Sequence, residues 1–247
     1  CNNVYVPRVE RRLPECDMRL VTTRFMQRRF DGRIFHIGVD TERFCPQAPE
    51  AVAALKRELG LNGKSLIVFG GVVRPHKGLE EYAAALARLG RTDVALVILG
   101  PLNEHVRSLM GHPEYGEFIR CPAVDAASTR AIHEQMPLYL ALGDVLIVPL
   151  ADSLMARSQM PCKVFEAMAM SKPIVASAVS DLPEVLDGCG RLVEPGRVEA
   201  VAEALTQVLE DPGAAGEMGA RARRRCEQQF SAAASRASLL DLLDEWR

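Results

Sequence analysis

No sign of charge dominates this sequence. Its 30 Lys and Arg stand against 32 Asp and Glu, a formal net charge of −2, which supplies no global basic field for nucleic acid. No apolar run approaches the roughly 18 residues that a membrane span needs, and no secretory signal is read at the start. The seven cysteines (Cys1, Cys16, Cys45, Cys121, Cys162, Cys189 and Cys226) are odd in number and lack CxxC spacing, so reduced cytosolic thiols explain them better than disulfides or zinc. His36, His76, His105, His112 and His133 show no metal-ligand spacing. No pair of facing carboxylates suggests a glycoside hydrolase, and internal repeats and low-complexity segments are absent.

What is present is the composition of a soluble globular protein: 247 residues, 48% hydrophobic and 25% charged. That length holds one large α/β domain, or one domain with a fragment of another. The chain opens on Cys1 amid what reads as structured sequence, so it is expected to be a piece of a longer protein.

Cys1 to Leu13 has no clean periodicity. Met18 to Thr23 reads as a strand, Arg24 to Phe30 as a short helix, and Arg33 to Asp40 as a strand running into a turn. The arginines here (Arg19, Arg24, Arg28, Arg29, Arg33) alternate with acids, as on a solvated face. Thr41 to Glu50, with Pro46 and Pro49, reads as a linker. From there, helices are predicted over Ala51–Leu59, Gly78–Leu89, Glu104–Met110, Ala127–Gln135, Met136–Leu142, Val198–Glu210 and Ala214–Phe230. A turn and short helix follow Ser180, and an amphipathic helix spans Ser231–Arg247. Strands are predicted over Ser65–Phe69, Val94–Leu99, Glu117–Arg120, Val145–Pro149, Pro173–Ala178 and Gly190–Val193. Such alternation builds right-handed βαβ units, hence an α/β fold with a doubly wound, Rossmann-like parallel sheet. Ligands of such sheets bind outside the carboxyl ends of the strands, so the loops after Phe69, Leu99, Arg120 and Pro149 open on one edge.

Two stretches on that edge carry chemistry. In Pro161–Ser177 (PCKVFEAMAMSKPIVAS), Val164, Phe165, Met168 and Ala169 recur at helical spacing, and Ser171-Lys172-Pro173 ends the helix. Glu166 falls in the first turn, beside the free N–H groups and positive dipole end that attract anions. A carboxylate there suits a ligand with both hydroxyls and phosphates, such as a sugar nucleotide; taken alone, Glu166 reads more simply as a helix cap. The loop from Gly70 to Gly78 (GGVVRPHKG) has two glycines that let backbone approach a ligand, and Lys77 at a helix start sets a cation by a phosphate. It is neither a Walker A loop nor GxGxxG.

Four segments in order then resemble the carboxy-terminal half of the family 4 (group 1) glycosyltransferases of the GT-B fold. They are HIGVDTERF (His36–Phe44), FGGVVRPHKGLEEYAAAL, LVILGP, and YLALGDVLIVPLADSLMARSQMPCKVFEAMAMSKPIVAS with its EAMA segment. Trp246 lies near the end of a helix that resembles the one crossing back to the first domain. The resemblance runs from about Asp17 to the end. It implies that residues 1–45 are the tail of an amino-terminal acceptor domain and its linker, 46–230 the nucleotide-sugar donor domain, and 231–247 the returning helix.

By that resemblance, Glu166 matches the second glutamate of a Glu-x7-Glu motif and is implied to bind ribose hydroxyls. Lys77 is implied to bind the donor diphosphate, and Gly71 to let the phosphates approach. The first glutamate falls on Ser158, and an arginine frequent after the loop glycine falls on Val72, with Arg74 or Arg157 as neighbouring substitutes. Lys163 resembles the lysine of a PSK/PNK-type subgroup that also lacks the first glutamate. Gly70, Cys162 and Val164 complete the implied donor-binding set, with Lys77 and Glu166 as its catalytic members. The implied donor is a UDP- or GDP-sugar with no metal or cofactor required, the leaving diphosphate being stabilised by Lys77, an arginine and the helix start at Cys162–Lys163.

The implied activity is glycosyl transfer, with retention of anomeric configuration, to an unknown acceptor: a glycan, a lipid-linked acceptor or a small molecule. The implied setting is the cytoplasm, with an amino-terminal domain missing from this chain and peripheral membrane contact left to that half. A non-catalytic nucleotide-sugar-binding domain and a GT-B sugar-nucleotide epimerase are the alternatives.

Overall fold

The computed structural model describes residue 10 and residues 12–123 and 125–245, so Trp246, Cys1 and most of the aperiodic start lie outside the described residues. A small parallel sheet comes first. β1 (Leu20–Val21) pairs with β2 (Arg33–Ile34) across α1 (Arg24–Phe30). Thr23 Oγ1 caps α1 by accepting from Met26 N at 3.2 Å, and Asp31 ends it in the left-handed region. Both strands are shorter than the sequence predicts, and among the described residues each pairs only with the other. α2 (Pro49–Glu58) begins inside the expected linker. Pro49 takes the first helical position, where a missing N–H costs nothing, and Gly60 follows the helix at φ 66°.

β3 (Ser65–Gly70), α3 (Leu79–Arg88), β4 (Val94–Leu99), α4 (Glu104–Met110), β5 (Ile119–Arg120), α5 (Ala126–Glu134) and α6 (Met136–Ala141) follow. Then come β6 (Val145–Val148), α7 (Leu154–Arg157), α8 (Lys163–Ala169), β7 (Ile174–Ser177), α9 (Leu182–Val185), β8 (Arg191–Val193), α10 (Val198–Glu210), α11 (Pro212–Gln229) and α12 (Ala232–Glu245). The short α7 has no sequence periodicity of its own and is started by Ser153, whose Oγ accepts from Ala156 N at 3.2 Å.

The strands from β3 to β8 form one wholly parallel sheet in the order β5-β4-β3-β6-β7-β8. The chain steps outward from β3 to β5, returns to lay β6 on the free side of β3, and steps outward again to β8. This is the doubly wound α/β arrangement expected, with its switch point between β3 and β6. Every residue of β4, β6 and β7 is buried, as β-branched runs covered on both faces should be. α3 packs with α10, and α8 with α11. Pro149 and Pro173 fall just outside β6 and β7, since proline has no N–H for the ladder.

α12 returns to the start of the chain. Ser231 bridges Val39 in parallel: Val39 N donates to Phe230 O at 2.9 Å, and Ala232 N donates to Val39 O at 2.8 Å. Ser235 Oγ donates to His36 O at 2.8 Å, and the His36 ring lies 5.6 Å from both Phe165 and Phe230, which stack on each other at 4.7 Å. The apolar stripe of α12 is only partly covered: Leu242 is buried, whereas Leu240 and Leu243 face solvent. The described cysteines are all free thiols. Among the described residues no helix is long and apolar enough to cross a membrane.

Candidate functional site

The loops after β3 and β6 meet at the switch point, held there by glycines. Gly71 follows β3 at φ 122°, a conformation that side chains oppose. After a single 3-10 turn, Pro75–Lys77, Gly78 starts α3 at φ 63°. A β-carbon on Gly78 would lie 2.9 Å from Ala151 N, the amide that donates to His76 O at 3.2 Å. The two loops therefore run backbone against backbone.

This packing buries Lys77, only 9% exposed, whose Nζ donates to Gln159 Oε1 at 3.2 Å. Lys163, the first residue of α8, reaches in from the other loop. Its Nζ donates to Gly70 O at 2.5 Å and lies 4.7 Å from the centre of the Phe69 ring. Burial, and then Arg74, lowers the pKa of Lys77. Burial, and then Lys77, pushes Lys163 down to about 8. His76 is lowered by burial and by the same cations, Lys77, Arg74 and Lys163. The pattern is that of a pocket with positive charge in excess. Arg74 stands exposed at its rim with no ion pair among the described residues. Arg157 is already committed, its Nε and Nη2 donating to Asp152 at 2.6 and 2.7 Å.

Glu166 lies one turn along α8 from Lys163. Among the described residues its carboxylate has no hydrogen-bond partner. Burial raises its pKa, opposed by Lys163, His133 and Arg43. Arg43 Nη2 donates to His133 O at 3.2 Å, which brings the GVDTERF turn up to the end of α5.

The other expected positions divide. Ser158 ends α7 and its Oγ donates to Met155 O at 2.9 Å. Cys162 is an exposed free thiol preceding α8. Val164 is fully buried and its N–H donates to Pro161 O at 3.0 Å, so it adds no free donor. The structure thus gathers Gly70, Gly71, Lys77 and Lys163 at one point, with Arg74 at the rim and Glu166 a turn away. Gln159, Arg43 and His133 join them through contacts that span 82 and 90 positions, which no local spacing marks. Among the described residues no group of three His, Cys, Asp or Glu side chains is placed to hold a metal ion.

A family profile described as "Glycosyl transferases group 1" matches residues 63–211, which take in the whole six-stranded sheet and this site apart from Arg43. The chain belongs to the group 1 glycosyl transferases. It is similar to the GDP-mannose-dependent α-(1-6)-phosphatidylinositol monomannoside mannosyltransferase of Mycolicibacterium smegmatis, with 31% identity over 218 residues, 83% of this chain and 54% of that protein. Among solved structures it resembles Anabaena HepE in complex with UDP-glucose (TM-score 0.81, 17% identity, 98% of this chain and 70% of that one). It also resembles sucrose-phosphate synthase from Thermosynechococcus elongatus (TM-score 0.78, 23% identity, 96% of this chain and 60% of that one). At these identities the structural likenesses show the fold alone. The chain spans about half the length of the curated relatives it matches.

Proposed function

We propose that this group 1 glycosyl transferase chain is the donor half of an enzyme that moves a sugar from a nucleoside-diphosphate sugar to an acceptor. One observation carries the reading. At the switch point of the sheet, two lysine ammonium groups hydrogen-bonded only to neutral oxygens stand beside a carboxylate with no hydrogen-bond partner among the described residues. Cations so placed complement a diphosphate, and a carboxylate that only accepts complements ribose hydroxyls.

In this reading Glu166 holds the ribose and Lys77 the diphosphate. As the bond from sugar to diphosphate breaks, negative charge grows on the leaving oxygen. A buried cation fixed beforehand stabilises that charge more in the transition state than in the ground state. UDP- and GDP-sugars are the candidate donors, because the mannosyltransferase relative is named for GDP-mannose and HepE was solved with UDP-glucose.

The division into 1–45, 46–230 and 231–247 belongs to the same proposal. The separate two-stranded sheet and the docking of Ser231 and Ser235 on residues 36–39 support it. An amino-terminal domain then supplies acceptor recognition and any peripheral membrane contact, in the cytoplasm. Ser158, where the resemblance puts a carboxylate, favours a second reading, a nucleotide-sugar-binding domain without catalysis. Glu166→Ala tests the shared part: nucleotide binding should weaken while the fold persists, and unchanged affinity would sink the site. Sugar transfer by the full-length protein separates the two readings.

A further inference from the structure

Lys163 is held by groups that do not balance its charge. Its ammonium rests on a neutral carbonyl oxygen, Gly70 O, and on the face of Phe69. A β-carbon on Gly71 would lie 2.3 Å from Nζ, so the hollow left by that glycine is filled by the lysine itself. Among the described residues Lys77, on the facing loop, donates only to the neutral amide of Gln159. Neither lysine makes an ion pair among the described residues. Two partly dehydrated cations that repel each other, with the Glu166 carboxylate near but paired to neither among the described residues, form a site with positive charge in excess. Residue 72 is valine, Arg157 is spent on Asp152, and Arg74 stands exposed at the rim, so Lys163 is the cation that already rests against Gly71.

We infer that Lys163 is a displaceable second phosphate cation, whose ammonium exchanges the Gly70 carbonyl for an oxygen of an arriving diphosphate. This deepens the donor-site reading and rests on it. The role of Gly71 changes accordingly: it is glycine first to house the Lys163 ammonium, and the phosphates come to a place already held by a cation. Two cations on facing loops suit the two phosphates of the donor proposed above, where one would serve a monophosphate.

The groups facing Lys163 are Glu166 and Cys162 on its own helix and Lys77 from the β3–α3 loop, with His76 and Arg74 beyond. Burial keeps Lys163 near 8, and a diphosphate raises it. Binding above that pH therefore takes up a proton, and a lysine that merely tethers β3 would take up less of one than a lysine that meets the phosphate.

The test is calorimetric titration of the 247-residue chain at pH 8.5 with UDP, GDP and the two free nucleosides, in two buffers of different ionisation enthalpy. The parent should show proton uptake with a nucleoside diphosphate. Lys163→Met keeps the stem and removes a buried charge; it should lose most of the uptake and about ten- to a hundredfold of diphosphate affinity, with the nucleoside little changed. Uptake that is undiminished in Lys163→Met, where Lys77 still supplies its own share, or equal losses for diphosphate and nucleoside, overturns the inference. Lys77→Ala, run alongside, separates the two levels. If it weakens diphosphate binding and Lys163→Met does not, only the inference fails. If neither weakens it, the donor-site reading fails as well.

Discussion

The Lys77 ammonium donates to Gln159 Oε1 at 3.2 Å, tying the loop after β3 to the segment after β6 across the switch point of the sheet. A buried lysine whose partner is a neutral amide is poised to accept an anion, because a charge-assisted hydrogen bond is worth about 1.5–3 kcal/mol. Lys77→Ala should therefore cost a nucleoside diphosphate that amount, about 10- to 150-fold in Kd, and cost the free nucleoside far less. Equal losses for the two ligands would reject the phosphate role.

Glu166 offers a test in which stability and function part company. Burial raises its pKa above the ordinary 4.5, so the charged form is disfavoured in the folded state. That cost is fully present at neutral pH and disappears as pH falls through the raised value towards 4.5. Glu166→Gln, which mimics the protonated acid, should melt no lower than the parent at pH 7, lose that advantage by pH 4, and bind nucleotide more weakly. A variant clearly less stable at pH 7 would mean that the carboxylate is a structural brace.

The glycines at the strand ends should differ in severity. Gly71→Ala meets the movable end of Lys163 and incurs left-handed strain of about 1–3 kcal/mol. Gly100→Ala meets backbone, Gly71 O at 2.2 Å, which cannot step aside. Urea unfolding should show the larger loss in Gly100→Ala, and removing Lys163 should relieve part of the loss in Gly71→Ala but none in Gly100→Ala.

Docking of α12 depends on Gly38, where a β-carbon would meet Ser231 O at 2.2 Å and Ser235 Oγ at 2.5 Å. Gly38→Ala should expose residues 232–245 to protease while leaving nucleotide affinity within about twofold, since the parallel sheet does not rest on this contact. Loss of binding together with protection would show that the helix supports the donor site.

Local chemistry explains what was legible beforehand. α1, α4 and α10 match their expected bounds to the residue, because side-chain caps or strong helical periodicity mark them. Lys77 and Glu166 were legible because a loop glycine pair and a helix start announce them within a few positions. The strand order was implied only as a class of topology. Pro49 starts a helix where the sequence suggests a linker, because a proline serves either a linker or a first helical turn. The contact of Lys163 with Gly70 spans 93 positions and depends on how far a lysine reaches over one particular glycine. Arg43 sat in a segment noted for its turn, and only the folded chain turns it towards His133 and Glu166.

The measurement that bears most directly on the donor site is titration calorimetry of this chain with UDP, GDP and the corresponding glucose and mannose nucleotides, in the parent and in Glu166→Ala. The predicted result is saturable binding of one nucleoside diphosphate and its sugar, at least about tenfold weaker in a variant that melts like the parent. Binding that is unchanged in Glu166→Ala, or absent for every nucleotide, would contradict a donor site at this switch point.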